Sequence, residues 1–226
     1  MVKILGHRGD PSRFGANHLD GIRRAAEGAD GAEVDLRRCG SGELVLSHDE
    51  TIDGAVVADT GLEDLRVLDP GLVTGAQLFA ADLPGTLDLE VKNGPHERGF
   101  EDDHRIAFEV AQHARPDDVV TCFYWPSVDA IVERFPSVRT GLLFDGMPVV
   151  DAARHAVENG HRSIAPNHRL IDSQETVQRA QDSGISVMAW TVNARERIVE
   201  LARWGIDTII TDRPLEAVAW TEELET

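Results

Sequence analysis

A chain of 226 residues with 42% hydrophobic content can bury one sizeable core, and α/β barrels often reach this length as a single unit. Its formal charge of −18 and pI of about 4.8 disfavour nucleic acid and anionic membrane surfaces as partners. No apolar run approaches the ~20 residues that span a bilayer, so stable membrane insertion is not expected. Met1 leads almost directly into the strand-like V-K-I-L-G-H, which reads as the absence of a signal peptide and predicts a cytoplasmic protein. Cys39 and Cys122 form no Cys-x-x-Cys pattern and are expected to be reduced thiols. Lys3 and Lys92 are the only lysines. Such a composition suits a salty habitat and equally GC-rich coding.

In chain order, Val2 to Gly6 reads as a buried strand ending at His7-Arg8-Gly9, followed by a loop with Pro11 and Gly15. Asn17 to Glu27 reads as a helix with an apolar stripe of Leu19, Ile22, Ala25 and Ala26. Gly31 to Asp49 holds two β-like runs about a Gly40-Ser41 turn. From Glu50 to Pro84 the pattern is poor, with one short helix at Leu62, Leu65 and Leu68. Strands then alternate with helices. The strands are expected at 86–92, 119–123, 139–144, 163–166, 185–191 and 208–211, and the helices at 100–114, 127–135, 148–158, 173–183, 194–204 and 214–224. With the strands at 2 and 31 this makes eight β/α units, which predicts an α/β fold, a (β/α)₈ TIM barrel formed by one domain over residues 1–226. An antiparallel hairpin follows strand two, and the insertion before strand three is short. A doubly wound open sheet is the alternative, but no Gly-x-Gly-x-x-Gly follows the first strand.

Barrel enzymes place their chemistry at the C-terminal ends of the strands, and here those ends are polar. Glu33 and Asp35 stand at i and i+2 and share a strand face, as do Glu90 and Lys92. Strand one ends in His7-Arg8, and the hairpin brings His48 roughly opposite Glu33. Strand seven ends in Trp190-Thr191 with Asn193 beyond, and strand eight in Asp212-Arg213. Three neighbouring carboxylates need a cation or protons between them, and oxygen ligands select Mg²⁺ or Ca²⁺. Glu33, Asp35 and Glu90 are therefore candidate ligands of one divalent cation. The alternative is barrel-mouth acids paired with Arg8 and Lys92. His7 and His48 are candidate general acid and base, Arg8 and Lys92 candidate phosphate contacts, and each also fits a structural role. Trp190 and Phe123 are either substrate walls or core residues. His18, His96, His104, His113, His155, His161 and His168 are expected to be solvated.

H-R-G (7–9), G-A-D-G-A-E-V-D (28–35), L-V-L-S-H-D (44–49), L-D-L-E-V-K (87–92), A-W-T-V-N (189–193) and G-I-D-T-I-I-T-D-R-P (205–214) occur in this order over nearly the whole chain. In that order they resemble the glycerophosphodiester phosphodiesterase family. The resemblance implies a metal held by Glu33, Asp35 and Glu90, catalytic His7 and His48, and phosphate contacts from Arg8 and Lys92. It also implies hydrolysis of small-molecule glycerophosphodiesters to glycerol 3-phosphate and an alcohol, through a cyclic phosphate. Two features depart from the family. Its usual Pro-Glu-Asn-Thr is Gly15-Ala16-Asn17-His18 here, so only the Asn remains. L-F-A-A-D-L-P-G (78–85) stands where an inserted region and a Pro-Thr-Leu helix start are usual, which suggests a more open site. These departures leave room for a phospholipase D or sphingomyelinase D-like enzyme acting on (lyso)phospholipids. A non-catalytic barrel that binds phosphorylated ligands is the remaining alternative. Neither the oligomeric state nor the leaving alcohol is legible from these motifs.

Overall fold

The computed structural model describes residues 2–224. In chain order the elements are β1 (Lys3–Gly6), α1 (Pro11–Phe14), α2 (Leu19–Gly28), β2 (Gly31–Arg38), β3 (Leu44–Leu46), β4 (Thr51–Ile52), β5 (Ala55–Val56), α3 (Leu62–Leu68), α4 (Gly75–Ala80) and β6 (Thr86–Val91). There follow α5 (Arg105–His113), β7 (Val119–Cys122), α6 (Trp125–Arg134), β8 (Arg139–Phe144), α7 (Val149–Glu158), β9 (Ser163–Pro166), α8 (Gln174–Asp182), β10 (Ser186–Ala189), α9 (Arg195–Arg203), β11 (Thr208–Thr211) and α10 (Pro214–Glu222).

The parallel strands run β1-β11-β10-β9-β8-β7-β6-β2, and pairing of β1 with β2 closes the ring. This is the (β/α)₈ TIM barrel expected, and the closure rules out the open doubly wound sheet. Strand periodicity sorts the side chains into two cores. Ile4, Val34, Leu36 and Leu89 point outward to helix residues such as Ile22, Val110, Ile131 and Ile198. Leu5, Val119, Leu143, Ala165, Met188 and Ile210 form a separate inner core, with Trp190 packed against it. β3 extends the barrel from β2 in antiparallel register, Leu36 beside Leu46 and Arg38 beside Leu44. That is the expected hairpin, with Gly42 at φ 105 in its turn. Both cysteines are free and buried.

Three expectations change. The loop after His7-Arg8-Gly9 contains the one-turn helix α1, too short to carry a periodic apolar signal. The region from Glu50 to Pro84 holds more order than its pattern suggested, with the β4/β5 hairpin and α4 in addition to α3. Leu78–Ala80 is therefore the last turn of a helix, not a loop standing in for a lost helix start. α4 opens with a capping box, in which the Thr74 hydroxyl accepts from Gln77 N–H and the Gln77 side chain accepts from Thr74 N–H. Finally, the helix expected from Phe100 begins at Arg105. Asn93 holds Glu101 through both backbone groups, and the Glu101 carboxylate then takes the Ile106 N–H at 2.6 Å.

Gly31 sits where β2 meets β6, at φ 152, and a Cβ there would lie 1.8 Å from Thr86 O. Gly31→Ala is predicted to destabilise the fold by about 3 kcal/mol, read as a lower urea midpoint with an unchanged m-value.

Candidate active site

The acids come first, because the β2/β6 register dictates their neighbours. Glu33 lies beside Asp88, and Asp35 beside Glu90. All four side chains face the barrel interior on two adjacent strands, and all four residues are buried. Asp88 is the member that sequence reasoning missed. It stands two residues before Glu90, so the spacing rule that paired Glu33 with Asp35 also reaches it. Its Oδ1 accepts from Thr121 Oγ1 at 2.7 Å, and its Oδ2 has no hydrogen-bond partner.

Two cations and an asparagine hold this patch. Lys92 Nζ lies 2.9 Å from Asp35 Oδ1 and donates to Glu90 Oε1. Arg8 Nε stands 3.3 Å from Asp35 Oδ2. Asn17 Nδ2 donates to Asp35 Oδ2 at 2.9 Å, and its Oδ1 accepts from Asp35 N–H at 3.2 Å. Asn17 is thus the surviving residue of the altered first loop, and it positions a carboxylate. The local backbone serves the same end. Arg8 (φ 56), Gly9 (φ 89) and Asn17 (φ 61) occupy the left-handed region. The unusual Arg8 conformation aims its N–H at Glu33 Oε2, 2.9 Å away. Asn17 N–H donates back to Arg8 O. A non-glycine residue in that region costs about 1–3 kcal/mol, so such strain concentrates where surrounding contacts require it.

The electrostatics follow from this packing. Burial, then Asp35 and Glu90, push the Glu33 carboxyl far above the ordinary range. Burial raises Glu90 to about 7 against the pull of Lys92, and raises Asp88 to about 7 despite its bond from Thr121. Asp35 is the exception. Burial pushes it up, but Lys92, Arg8 and the Asn17 hydrogen bond together hold it below the usual carboxylate range. Burial would also lower Lys92, but Glu90 and Asp35 outweigh it and keep the ammonium charged. Ligand oxygens of Glu33, Asp35 and Glu90 all lie within 4.8 Å of one another. Glu33 Oε1 is buried without a hydrogen-bond partner. An all-oxygen donor set with an orphaned carboxylate oxygen fits a hard divalent cation.

The histidines flank the acids in matching fashion. His7 Nδ1 is 2.7 Å from Asp212 Oδ1, and its Nε2 is 4.0 Å from Glu33 Oε2. Asn193 Nδ2 bonds the other Asp212 oxygen. His48 Nδ1 is 2.7 Å from Asp49 Oδ1, and its carbonyl is gripped by Arg37 Nε and Nη2 at 3.0 and 2.7 Å. Each ring therefore has a carboxylate on one nitrogen, which fixes the ring and leaves the other nitrogen available. Burial and Lys92 lower the His48 pKa, against the bond to Asp49. The partners Asp212 and Asp49 lie within the quoted motifs, but their roles depend on contacts that local spacing does not reveal.

Eight of the nine residues singled out from the sequence line one cavity of about 140 Å³, namely His7, Arg8, Glu33, His48, Glu90, Lys92, Phe123 and Trp190. Asp35 lies beneath them, fully buried. Trp190 both roofs the inner core and lines the cavity, with Nε1 donating to Ala165 O at 2.7 Å. Phe123 is 46% exposed, so it is not core, and meets Trp190 edge-on at 5.4 Å. A larger cavity of about 640 Å³ opens at the opposite end, among Lys3, Thr86, Arg139 and Ser186. It gathers no histidine and faces the N-terminal ends of the strands, where barrels keep stability rather than chemistry. The expectation that seven histidines are solvated fails at His161, which is 3% exposed, because α6 and α7 close over the loop that carries it.

Asp88 generates a pH prediction. With its folded pKa raised to about 7, the folded chain keeps a proton that the unfolded chain releases near pH 4. The stability linked to that proton is full at low pH and is lost as pH rises through about 7. In chelator, Tm is expected to fall between about pH 5 and pH 8, and Asp88→Asn to flatten that fall. The stability lost by the alkaline end is a few kcal/mol, at about 1.4 kcal/mol per tenfold change in acidity.

Comparison with known proteins gives one answer. The model of the glycerophosphoryl diester phosphodiesterase family matches residues 7–216. A glycerophosphodiester phosphodiesterase of Caldanaerobacter subterraneus subsp. tengcongensis is 26% identical over 230 residues, covering 93% of this chain and 94% of the relative. A crystal structure of a putative glycerophosphoryl diester phosphodiesterase from Agrobacterium tumefaciens has the same fold, with TM-score 0.86 at 20% identity over 100% of this chain and 99% of that one. An Oleispira antarctica phosphodiesterase, solved in complex with the product sn-glycerol-3-phosphate, has TM-score 0.79 at 16% identity, covering 98% of this chain and 97% of that one. No helix among the described residues is long and apolar enough to cross a membrane. By the family match across residues 7–216, the chain belongs to the glycerophosphoryl diester phosphodiesterase family of phosphoric diester hydrolases.

Proposed function

We propose that this protein hydrolyses glycerophosphodiesters to glycerol 3-phosphate and an alcohol, by paired histidine acid/base catalysis beside one divalent cation. The observation that carries this reading is the pair His7 and His48, each backed by its own carboxylate, lining one cavity with Glu33 and Glu90, with Asp35 buried beneath. The product bound to the Oleispira antarctica phosphodiesterase agrees with it. Glu33, Asp35 and Glu90 would hold Mg²⁺ or Ca²⁺, which would supply charge to the phosphate and polarise a hydroxyl.

The chain's own residues do the rest. Arg8 and Lys92 give positive charge at the cavity wall for phosphate oxygens. Trp190 and Phe123 offer apolar surface to a small polyol. A glycerol hydroxyl attacks phosphorus, and the phosphorus–oxygen bond to the alcohol breaks. One histidine takes the hydroxyl proton and the other protonates the leaving alkoxide. A cyclic phosphate results, which water opens with the two roles exchanged. We assign the base to His48, because burial and Lys92 favour its neutral form. His7, between Asp212 and Glu33, is the acid.

The test is glycerol 3-phosphate release from glycerophosphocholine with Mg²⁺, with Ca²⁺ and with chelator. Release is expected with at least one cation and none in chelator. His7→Ala and His48→Ala are each predicted to lower kcat by roughly 100-fold or more, without loss of the folded circular-dichroism spectrum. Undiminished turnover in either variant would refute the paired-histidine mechanism, and turnover undiminished by chelator would refute the metal assignment.

A further inference from the structure

A second cluster of ligating side chains lies outside the barrel mouth. Asp129 on α6, His155 on α7 and His161 in the loop before β9 converge between the two helices. His161 Nε2 is 2.8 Å from Asp129 Oδ1, and its Nδ1 is 2.8 Å from Thr140 Oγ1. His155 Nε2 lies 3.8 Å from the same Asp129 oxygen, too far for a hydrogen bond. That nitrogen is buried and has no hydrogen-bond partner. Trp125 packs on the His155 ring, with centroids 4.8 Å apart.

We propose that Asp129, His155 and His161 form a second divalent-metal site, of the zinc class, which clamps α6 to α7 and takes no part in phosphodiester chemistry. Four considerations support it. A hydrogen-bonded His161–Asp129 pair accounts for those two residues but leaves His155 Nε2 buried and unsatisfied. A metal satisfies all three. The donor set is two imidazole nitrogens and a carboxylate, which suits zinc and other borderline cations, whereas the all-oxygen set at the barrel mouth suits Mg²⁺ or Ca²⁺.

Geometry is the third. In a tetrahedral shell with bonds of 2.0–2.1 Å, ligand atoms stand roughly 3.3 Å apart. The distances of 2.8 and 3.8 Å to Asp129 Oδ1 bracket that value, so small side-chain rotations suffice. The fourth is the surrounding support. The Thr140 hydroxyl can donate or accept, so it holds His161 when Nδ1 carries the proton and Nε2 presents its lone pair. On binding, the metal takes the place of the proton between His161 Nε2 and Asp129; the neutral ring keeps its single proton, which exchanges through solvent to Nδ1, where Thr140 Oγ1 accepts it. The Asp129 and His155 side chains are about one-third exposed, at 32% and 36%, which gives the ion a route in and water the fourth position.

The experiment uses the full chain in saturating Mg²⁺, which fills the oxygen site, followed by Zn²⁺ and equilibrium dialysis with metal analysis. The native chain is expected to retain one Zn²⁺ and to show a Zn²⁺-dependent rise in Tm. His155→Asn should weaken Zn²⁺ binding by roughly tenfold or more, and abolish the Tm rise. Phosphodiesterase turnover in Mg²⁺ should stay at the native level. Asp129→Asn, which keeps the shape of the side chain, should weaken Zn²⁺ binding in the same way. Co²⁺ in place of Zn²⁺ should give the strong visible absorption of a four-coordinate site, absent in His155→Asn. No Zn²⁺ retained by the native chain, equal retention by both variants, or retention lost only in Glu33→Gln would each overturn the proposal.

Discussion

Glu33, Asp35, Asp88 and Glu90 crowd one inward face of two adjacent parallel strands, and most of the site's architecture answers their mutual repulsion. Two like charges 4 Å apart repel by about 4 kcal/mol at an effective dielectric of 20. Four buried carboxylates cannot all ionise against two neighbouring cations, Lys92 and Arg8. The patch resolves the conflict unevenly. Asp35, with both cations and Asn17, keeps its charge, whereas Glu33, Asp88 and Glu90 are driven toward their protonated forms. A divalent cation placed among Glu33, Asp35 and Glu90 removes the reason for that protonation. Metal binding at that point would therefore release protons.

The backbone around the patch makes sense in the same terms. Arg8 is held at φ 56 so that its amide reaches Glu33 while its guanidinium reaches Asp35. Asn17, also at positive φ, ties the first loop to Asp35 and to Arg8 at once. The loop that carries Ala16 therefore still reaches the acidic patch. The acids occupy one side of the barrel interior, and Leu5, Val119, Leu143, Ala165, Met188 and Ile210 fill the other. Trp190 closes that apolar half and shares the cavity wall with the histidines.

Much of this was legible from residue spacing. The strand–helix alternation yields eight units, and the i, i+2 rule puts Glu33 with Asp35 and Glu90 with Lys92. The same rule reaches Asp88, but a single polar residue inside a buried strand reads locally as noise. Asn17 to Asp35 spans 18 residues and His7 to Asp212 spans 205, so no local pattern announces those bonds. α4 was missed because six residues show no apolar period, although its Thr74 and Gln77 cap is a sequence signal. His161 was misread for a different reason. It follows Gly160 in a short loop, and its burial arises from α6 and α7 packing across it, which is tertiary information.

The account depends most directly on the acidic patch taking one cation in exchange for protons. Calorimetric titration of Mg²⁺ or Ca²⁺ near pH 7, repeated in two buffers of different ionisation enthalpy, measures both stoichiometry and proton release. The account predicts one site of this kind, net proton release on binding, and loss of both in Glu33→Gln and Glu90→Gln. Binding with no proton release, or binding unchanged in both variants, would contradict it.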